Sequence, residues 1–300
     1  MQPISEFVQG EIADGIATIT LNRPDKLNAM TRDMAAGMIT LVNNFDANDE
    51  VRAIIITGAG RAFCAGADLN ASDTRFSAAV DGRDQSNPIL PDGSTDWTHD
   101  DVRDFGGRIA LRLFDCLKPL IVAINGPAAG MGVTMSLPAD FRLASGTSKF
   151  VLPFVRRGIV PESASSWFLP RLVGISRALD WTLTGRTIDS NEALASGLVR
   201  SLHEPADLIP AARALAREIA EQAAPVSVAL TRQLMWRMLG ADHPMEAHKI
   251  ESRGVFARSK SRDIREGVAS FLEKRPPRFT DRPSSDMPSF YPWWPDRDYD

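Results

Sequence analysis

Two stretches of this chain carry unbroken aliphatic runs that stop at glycine. One begins at Lys118-Pro119, continues through Leu120, Ile121, Val122, Ala123 and Ile124, and ends at Asn125-Gly126. The other runs from Val51 through Ile54, Ile55 and Ile56 to Thr57-Gly58. Short apolar runs bounded by Pro or Gly predict buried strands. Each empties into a loop of small residues, Pro127–Gly132 after the first and Gly60–Leu69 after the second. The apolar pattern then resumes at Val133–Leu137, as a helix start would. Small residues let backbone N–H groups approach a ligand closely, and a strand, loop and helix start together favour negative charge. Two such loops can each aim one N–H at a single carbonyl oxygen. That is the arrangement of an oxyanion hole, in which each donor contributes roughly 3–4 kcal/mol to a transition state.

The remaining pattern fills in around these two units. Residues 10–22 alternate weakly and predict a strand, followed by a turn-rich loop from Asn22 to Asn28. Thr31 is placed to cap a helix running towards Phe45. From Asn70 to Asp104 the composition shifts to Asp, Ser, Gly, Asn and Pro, which predicts a long, mobile surface insertion of the kind that covers a site. A helix is expected at Phe105–Leu117, and short strands at Asp140–Ala144 and Lys149–Pro153. Pro161-Glu162 opens a further helix through Leu169, because Pro suits the first helical position and an acid the first turn. Beyond Pro205 the pattern is helical over Ala206–Ala223, Val226–Leu239 and Ser261–Arg275, stopped by Pro276-Pro277. Three parts follow: an α/β core over 1–204, a helical region over 205–275, and a Pro- and aromatic-rich tail over 276–300 expected to wrap onto a neighbouring surface.

Composition narrows the class. The 300 residues suffice for one full core. A net charge of −4, with no dense basic block, argues against nucleic acid as a partner. No apolar run approaches the roughly 20 residues of a membrane span, and Met1–Glu6 lacks the features of a signal peptide. Cys64 and Cys116 sit among apolar residues and predict two buried thiols in a reducing cytoplasm. The four histidines show no ligand spacing, so no metal site is expected.

Four segments, read together, resemble the crotonase superfamily, the enoyl-CoA hydratases and isomerases. They are Leu21–Ala29, Phe63–Leu69, Ile124–Gly132 and Ser270–Pro276, and the likeness covers roughly residues 5–275. The resemblance implies an α/β crotonase-like spiral of ββα turns with a C-terminal helical trimerisation region, hence a homotrimer or a dimer of trimers. It implies an acyl-CoA thioester as substrate, with coenzyme A as part of that substrate and no tightly bound cofactor. It places the N–H groups of Ala67 and Met131 on the thioester oxygen. Lys26, Ala65, Gly66, Asp68, Leu69 and Gly130 would then lie along the CoA moiety.

The chain departs from the hydratase pattern at two places. Thr134 and Phe154 stand where the resemblance expects two glutamates, and neither can act as a carboxylate base near neutral pH. Both read better as substrate-pocket lining, together with Trp167, for which a core position is the plainer alternative. Glu162 remains as a carboxylate close by, which suits the movement of a double bond from the 3 to the 2 position. Three alternatives stay open. Hydration or thioester hydrolysis needs a water held by Glu162 or by a non-standard acid from the insertion, such as Asp84 or Asp101. A non-catalytic acyl-CoA-binding protein needs none. Glu162 itself could be no more than a helix-dipole residue, and Asp68 no more than a loop cap. Ser163, Ser165 and Ser166 lack a nucleophile elbow. Gly58–Phe63 lacks the third glycine of a dinucleotide fingerprint.

Overall fold

The buried runs stand side by side at the centre of a sheet, in a computed structural model that describes residues 5–69, 89–99 and 102–299. Asp84, Asp101 and much of the 70–104 insertion lie outside the described residues. The first strands are β1 (Val8–Ala13) and β2 (Ile16–Leu21), an antiparallel hairpin. Residues 10–22 are therefore two strands and not one. Asp14 and Gly15 both adopt positive φ (55° and 71°), the conformation a tight two-residue hairpin turn requires. Helix α1 (Arg32–Ala47) starts at Thr31, whose side chain accepts the Met34 N–H. Next come β3 (Ala53–Gly58), helix α2 (Phe105–Asp115) and β4 (Leu120–Ile124). A short β5 (Ala128–Ala129) leads directly into α3 (Met131–Thr134), then β6 (Phe141–Ser145) and β7 (Lys149–Val151).

The second half holds α4 (Ser165–Val173), α5 (Ile175–Thr184), β8 (Thr187–Asp189), α6 (Ser190–Ala195) and β9 (Ser201–His203). It closes with α7 (Leu208–Gln222), α8 (Pro225–Met238), α9 (Pro244–Arg258), α10 (Arg262–Glu273) and the short α11 (Pro283–Asp286). The main sheet has the order β1-β2-β3-β4-β6-β9 and is parallel from β2 onward. A second sheet, β5-β7-β8, branches from it. This is the mixed α/β architecture that the repeating strand pairs and helices predict.

Alternation along the central strands divides the core into two layers. Ile54, Ile56, Val122 and Ile124 face α1 and α2, meeting Met34, Met38, Ile109 and Leu113. Ile55, Ile121, Ala123 and Leu143 face the opposite way, against Leu208, Ala212 and Ala216 of α7. A parallel strand covered on both faces reads as a continuous apolar run, and that is why Val51–Gly58 and Lys118–Gly126 stood out. Helix α7 covers the sheet directly and Trp236 of α8 joins the core, so these two helices pack as one body with the strands.

Three helical expectations differ from the structure. The helix expected from Pro161 begins at Ser165 and runs through Pro170 to Val173. Ser163 and Ala164 occupy left-handed backbone (φ 57° and 52°), so Glu162 precedes the helix and lies outside its first turn. Burial of Phe168, Leu169 and Val173 holds α4 past its proline. Helix α5 and the whole of α9 go unread in the sequence; α9 buries no residue, so no apolar stripe marks it.

One buried ion pair fastens α8 to the sheet. Arg232, its side chain 4% exposed, donates to Asp140 at 2.8 Å and to the carbonyls of Leu113, Cys116 and Pro138. Asp140 also accepts the Leu120 N–H and the Trp236 indole N–H. Removing one partner strands the other charge in the interior. Replacing Arg232 with Met should therefore lower stability by about 3–5 kcal/mol in denaturant unfolding. A loss below about 1 kcal/mol would show that the network contributes little.

Candidate active site

Two glycine loops are laid against each other backbone to backbone. Ala129 N–H donates to the Cys64 carbonyl at 3.0 Å, and Phe63 N–H to the Pro127 carbonyl at 3.1 Å. A side chain on Gly132 would collide with the Cys64 carbonyl, and one on Gly66 (φ 101°) would sit 2.8 Å from the Ala129 carbonyl. The same Gly66 position is 3.9 Å from the Met131 nitrogen, so the two loop tips meet there.

The orientation of Ala67 follows from its neighbours. Met30 N–H donates to the Gly66 carbonyl at 2.7 Å, and Asp68 N–H to the Met30 carbonyl at 2.9 Å. In an extended ladder alternate amides face opposite sides, so the Ala67 N–H turns away from Met30. Met131 is the first residue of α3, and its N–H has no intrahelical acceptor. Among the described residues neither amide has a hydrogen-bond acceptor. Both residues line one cavity of about 340 Å³, together with Gly66, Leu69, Gly130, Phe154 and Glu162.

Glu162 enters this cavity from the irregular segment before α4. Thr134, fully buried, lies with its hydroxyl 2.5 Å from Glu162 Oε1 and 3.3 Å from the Gly130 carbonyl. One hydroxyl has one proton, and the nearer, charged acceptor takes it. The Ser163 hydroxyl donates to the other carboxylate oxygen. Burial pushes the Glu162 pKa from 4.5 up to about 7; the negative Asp104 adds to this, while the Ser163 and Thr134 hydrogen bonds oppose it. A carboxylate so placed can accept a proton and give it back near neutral pH. Thr134 can follow that exchange by turning its proton to the Gly130 carbonyl when Glu162 carries one.

Asp104, Ser163 and Gly106 complete the site, and none of them was singled out for it in the sequence. Asp104 caps α2, its oxygens accepting the N–H groups of Gly106, Gly107 and Ser163. That acceptance ties the segment bearing Glu162 to α2. A side chain on Gly106 would collide with Glu162 and Ser163. Asp followed by Phe105-Gly106-Gly107 is a readable cap signature. Its proximity to Glu162 is a tertiary fact.

The other candidate residues separate into two groups. Gly66, Ala67, Leu69, Gly130, Met131, Phe154 and Glu162 line the cavity, and Thr134 touches it through Glu162. Lys26 is exposed at the end of a 3-10 turn (Pro24–Lys26), and Ala65 donates its N–H to the Leu27 carbonyl; neither lines the cavity. Asp68 is ion-paired with Arg23 at 2.5 Å, which favours the loop-fastening reading over ligand contact. Trp167 does not line the cavity. Its ring stands among Phe114, Phe168 and Trp236, at 4.8–6.5 Å between centroids. Burial pushes the Cys64 thiol up to about 12, so it carries no nucleophilic role at neutral pH.

The chain is similar to known proteins over most of its length. The family model for enoyl-CoA hydratase/isomerase matches residues 11–87 and 98–282. The enoyl-CoA hydratase ACTT3 of Alternaria alternata is 43% identical over 275 residues, 91% of this chain and 86% of that protein. The 1,2-epoxyphenylacetyl-CoA isomerase of Escherichia coli (strain K12) is 32% identical, covering 92% of this chain and 98% of its own. The crystal structure of enoyl-CoA hydratase from Bacillus anthracis superposes with a TM-score of 0.78 at 28% identity, over 91% of this chain and 99% of that one.

The raised pKa of Glu162 ties stability to pH. Its folded value, about 7, lies above its ordinary 4.5, so the folded state holds this proton more tightly. The stability this contributes is complete below about pH 4.5 and is lost as pH rises through 7. Replacing Glu162 with Gln should thus stabilise the protein at pH 8, on the order of 2 kcal/mol, with the gain fading by pH 5. A difference in unfolding free energy that does not change between pH 5 and 8 would contradict the assignment.

Proposed function

Because this chain belongs to the enoyl-CoA hydratase/isomerase family, we propose that it moves a double bond in an acyl-CoA from the 3 to the 2 position, with Glu162 as base. The Ala67 and Met131 amide N–H groups donate to the thioester oxygen and stabilise it as negative charge develops. Glu162 removes a proton from the α carbon, the electrons spread over a dienolate, and the same carboxyl returns the proton at the γ carbon. No atom is gained or lost. Coenzyme A enters and leaves as part of the substrate.

The observation that carries this reading is one carboxylate, at a pKa of about 7, on the same cavity as two unpartnered amides. Asp104 also lines that cavity, but its oxygens are occupied by three N–H donors. Thr134 and Phe154 offer no second base. Hydration is the second reading, favoured by the name of the Alternaria alternata relative. It needs two groups to handle water and proton together, and Asp104 would have to release a cap bond to serve as one of them.

Glu162→Gln should lower kcat for a 3-enoyl-CoA by about 10³-fold while leaving acyl-CoA affinity nearly unchanged. In the native enzyme kcat/KM should rise about tenfold per pH unit below 7 and level off above it, as the base ionises. Mass spectrometry of the product separates the readings, since isomerisation leaves the mass unchanged and hydration adds one water. Free CoA would indicate hydrolysis, and binding without turnover a non-catalytic protein. Full activity in the Gln variant would remove Glu162 from the mechanism.

The reading extends to assembly. Val255 and Phe256 on α9, and Val268, Phe271 and Leu272 on α10, are 52–81% exposed in the single chain. An apolar face of that extent suits burial against further copies. Sedimentation equilibrium should return three or six times the chain mass; a monomer at micromolar concentration would refute this.

A further inference from the structure

The segment after Arg282 lies beyond the residues matched by the family model, and it is fastened down along its length. Pro283 is buried, and the Ser284 side chain donates to Asp49 at the far end of α1. Tyr291, Trp293 and Trp294 form one aromatic cluster, with centroids 4.7–6.0 Å apart. Trp294 packs against Arg237, whose guanidinium carbon is 3.2 Å from the ring centroid and which ion-pairs with Asp115 at the end of α2. At the tip, the Arg103 guanidinium stacks 4.1 Å from the Tyr299 ring centroid, one residue before the cap of α2.

The last two anchors lie near opposite ends of one helix. Helix α2, with 11 residues, is about 16 Å long. The chain from Trp294 to Tyr299 reaches at most about 18 Å when extended. The tail therefore reaches from Arg237, which pairs with Asp115 at the C-terminal end of α2, to Arg103, just before its N-terminal end. Arg103 lines the ligand cavity beside Asp104, and Arg32 and Arg157 line it too. Arg103 has no ion pair among the described residues. A guanidinium held flat on an aromatic ring keeps its N–H edge available to a planar or tetrahedral anion.

We propose that residues 283–299 form a strap that reaches the rim of the ligand cavity through Arg103, with Tyr299 as a positioning residue holding Arg103 towards an anionic group of the acyl-CoA. This rests on the acyl-CoA reading of the cavity and not on which reaction follows. Two sources supply such an anion: a carboxylate at the far end of the acyl chain, or the phosphates of the CoA nucleotide. Both are read by the same guanidinium, and their positions on the ligand separate them.

The test is affinity by calorimetry, which needs no turnover and so stays distinct from any failure of the isomerase reading. Three probes are used: a saturated acyl-CoA, an ω-carboxyacyl-CoA of equal length, and the acyl-pantetheine that lacks the nucleotide. Tyr299→Ala and Arg103→Ala should each weaken binding about three- to tenfold, and Tyr299→Phe should restore it, because the ring face remains. In the Arg103→Ala background, Tyr299→Ala should have no further effect. Loss confined to the carboxyacyl ester identifies the acyl carboxylate, and equal loss for both CoA esters but not the pantetheine identifies the phosphates; either supports the proposal. Unchanged affinity, or equal loss for all three probes, overturns it. So does an additive double variant, or a chain truncated after Asp286 that binds all three as the full chain does.

Discussion

The site depends on two loops being held close enough that no side chain fits between them. Gly132 against the Cys64 carbonyl, and Gly66 against the Ala129 carbonyl, leave no room for a Cβ. That contact sets the separation and direction of the Ala67 and Met131 amides. Rigid strands deliver both loops: β3 and β4 are adjacent and parallel, so their C-terminal ends emerge side by side. The parallel arrangement exists because both faces of the sheet are covered, by α1 and α2 on one side and α7 on the other. Amides fixed in this way need no reorganisation when charge develops on a ligand oxygen.

Glu162 is positioned by a different strategy. Glu162 sits in an irregular turn whose two left-handed residues carry strain that a regular helix would avoid. Three contacts hold the turn: the Thr134 and Ser163 hydroxyls on the carboxylate, and the Ser163 N–H on Asp104. Desolvation raises the carboxyl pKa while the hydroxyls restrain the rise, and the balance falls near neutrality. A drier pocket without the hydroxyls would leave the acid protonated; a wetter one would leave it a weak base. Above neutral pH this buried carboxyl costs stability, because the folded state must hold it ionised.

Helix α2 connects the two halves of the problem. Its N-terminus carries the Asp104 cap and the Gly106 gap against Glu162, and its inner face carries Ile109 and Leu113 into the core. The aromatic residues of the tail are half-buried on this chain's own surface, in contact with Arg237 and through it with Asp115.

Much of this was legible in the chain because the physics was local. Buried strands appear as unbroken aliphatic runs, the Thr31 cap as a Thr before an apolar stripe, and the loop tips as clusters of small residues. The cavity-lining Ala67, Met131 and Phe154 are singled out through the family resemblance, and Glu162 as the carboxylate left beside them. Other features are set only by contacts between distant segments. The late start of α4 follows from a turn that Asp104, 59 positions away in sequence, holds in place. Trp167 joins an aromatic cluster because Phe114 and Trp236 arrive there, and Asp68 faces Arg23 because two loops cross. Helix α9 leaves no trace because it buries nothing within the chain. The sequence by itself determined which segments could be strands and which loops could approach a ligand, since both are properties of neighbouring residues. Which amides converge, what pKa the base acquires and where the tail lies were decided by the tertiary structure, because each depends on distances between residues far apart in the chain.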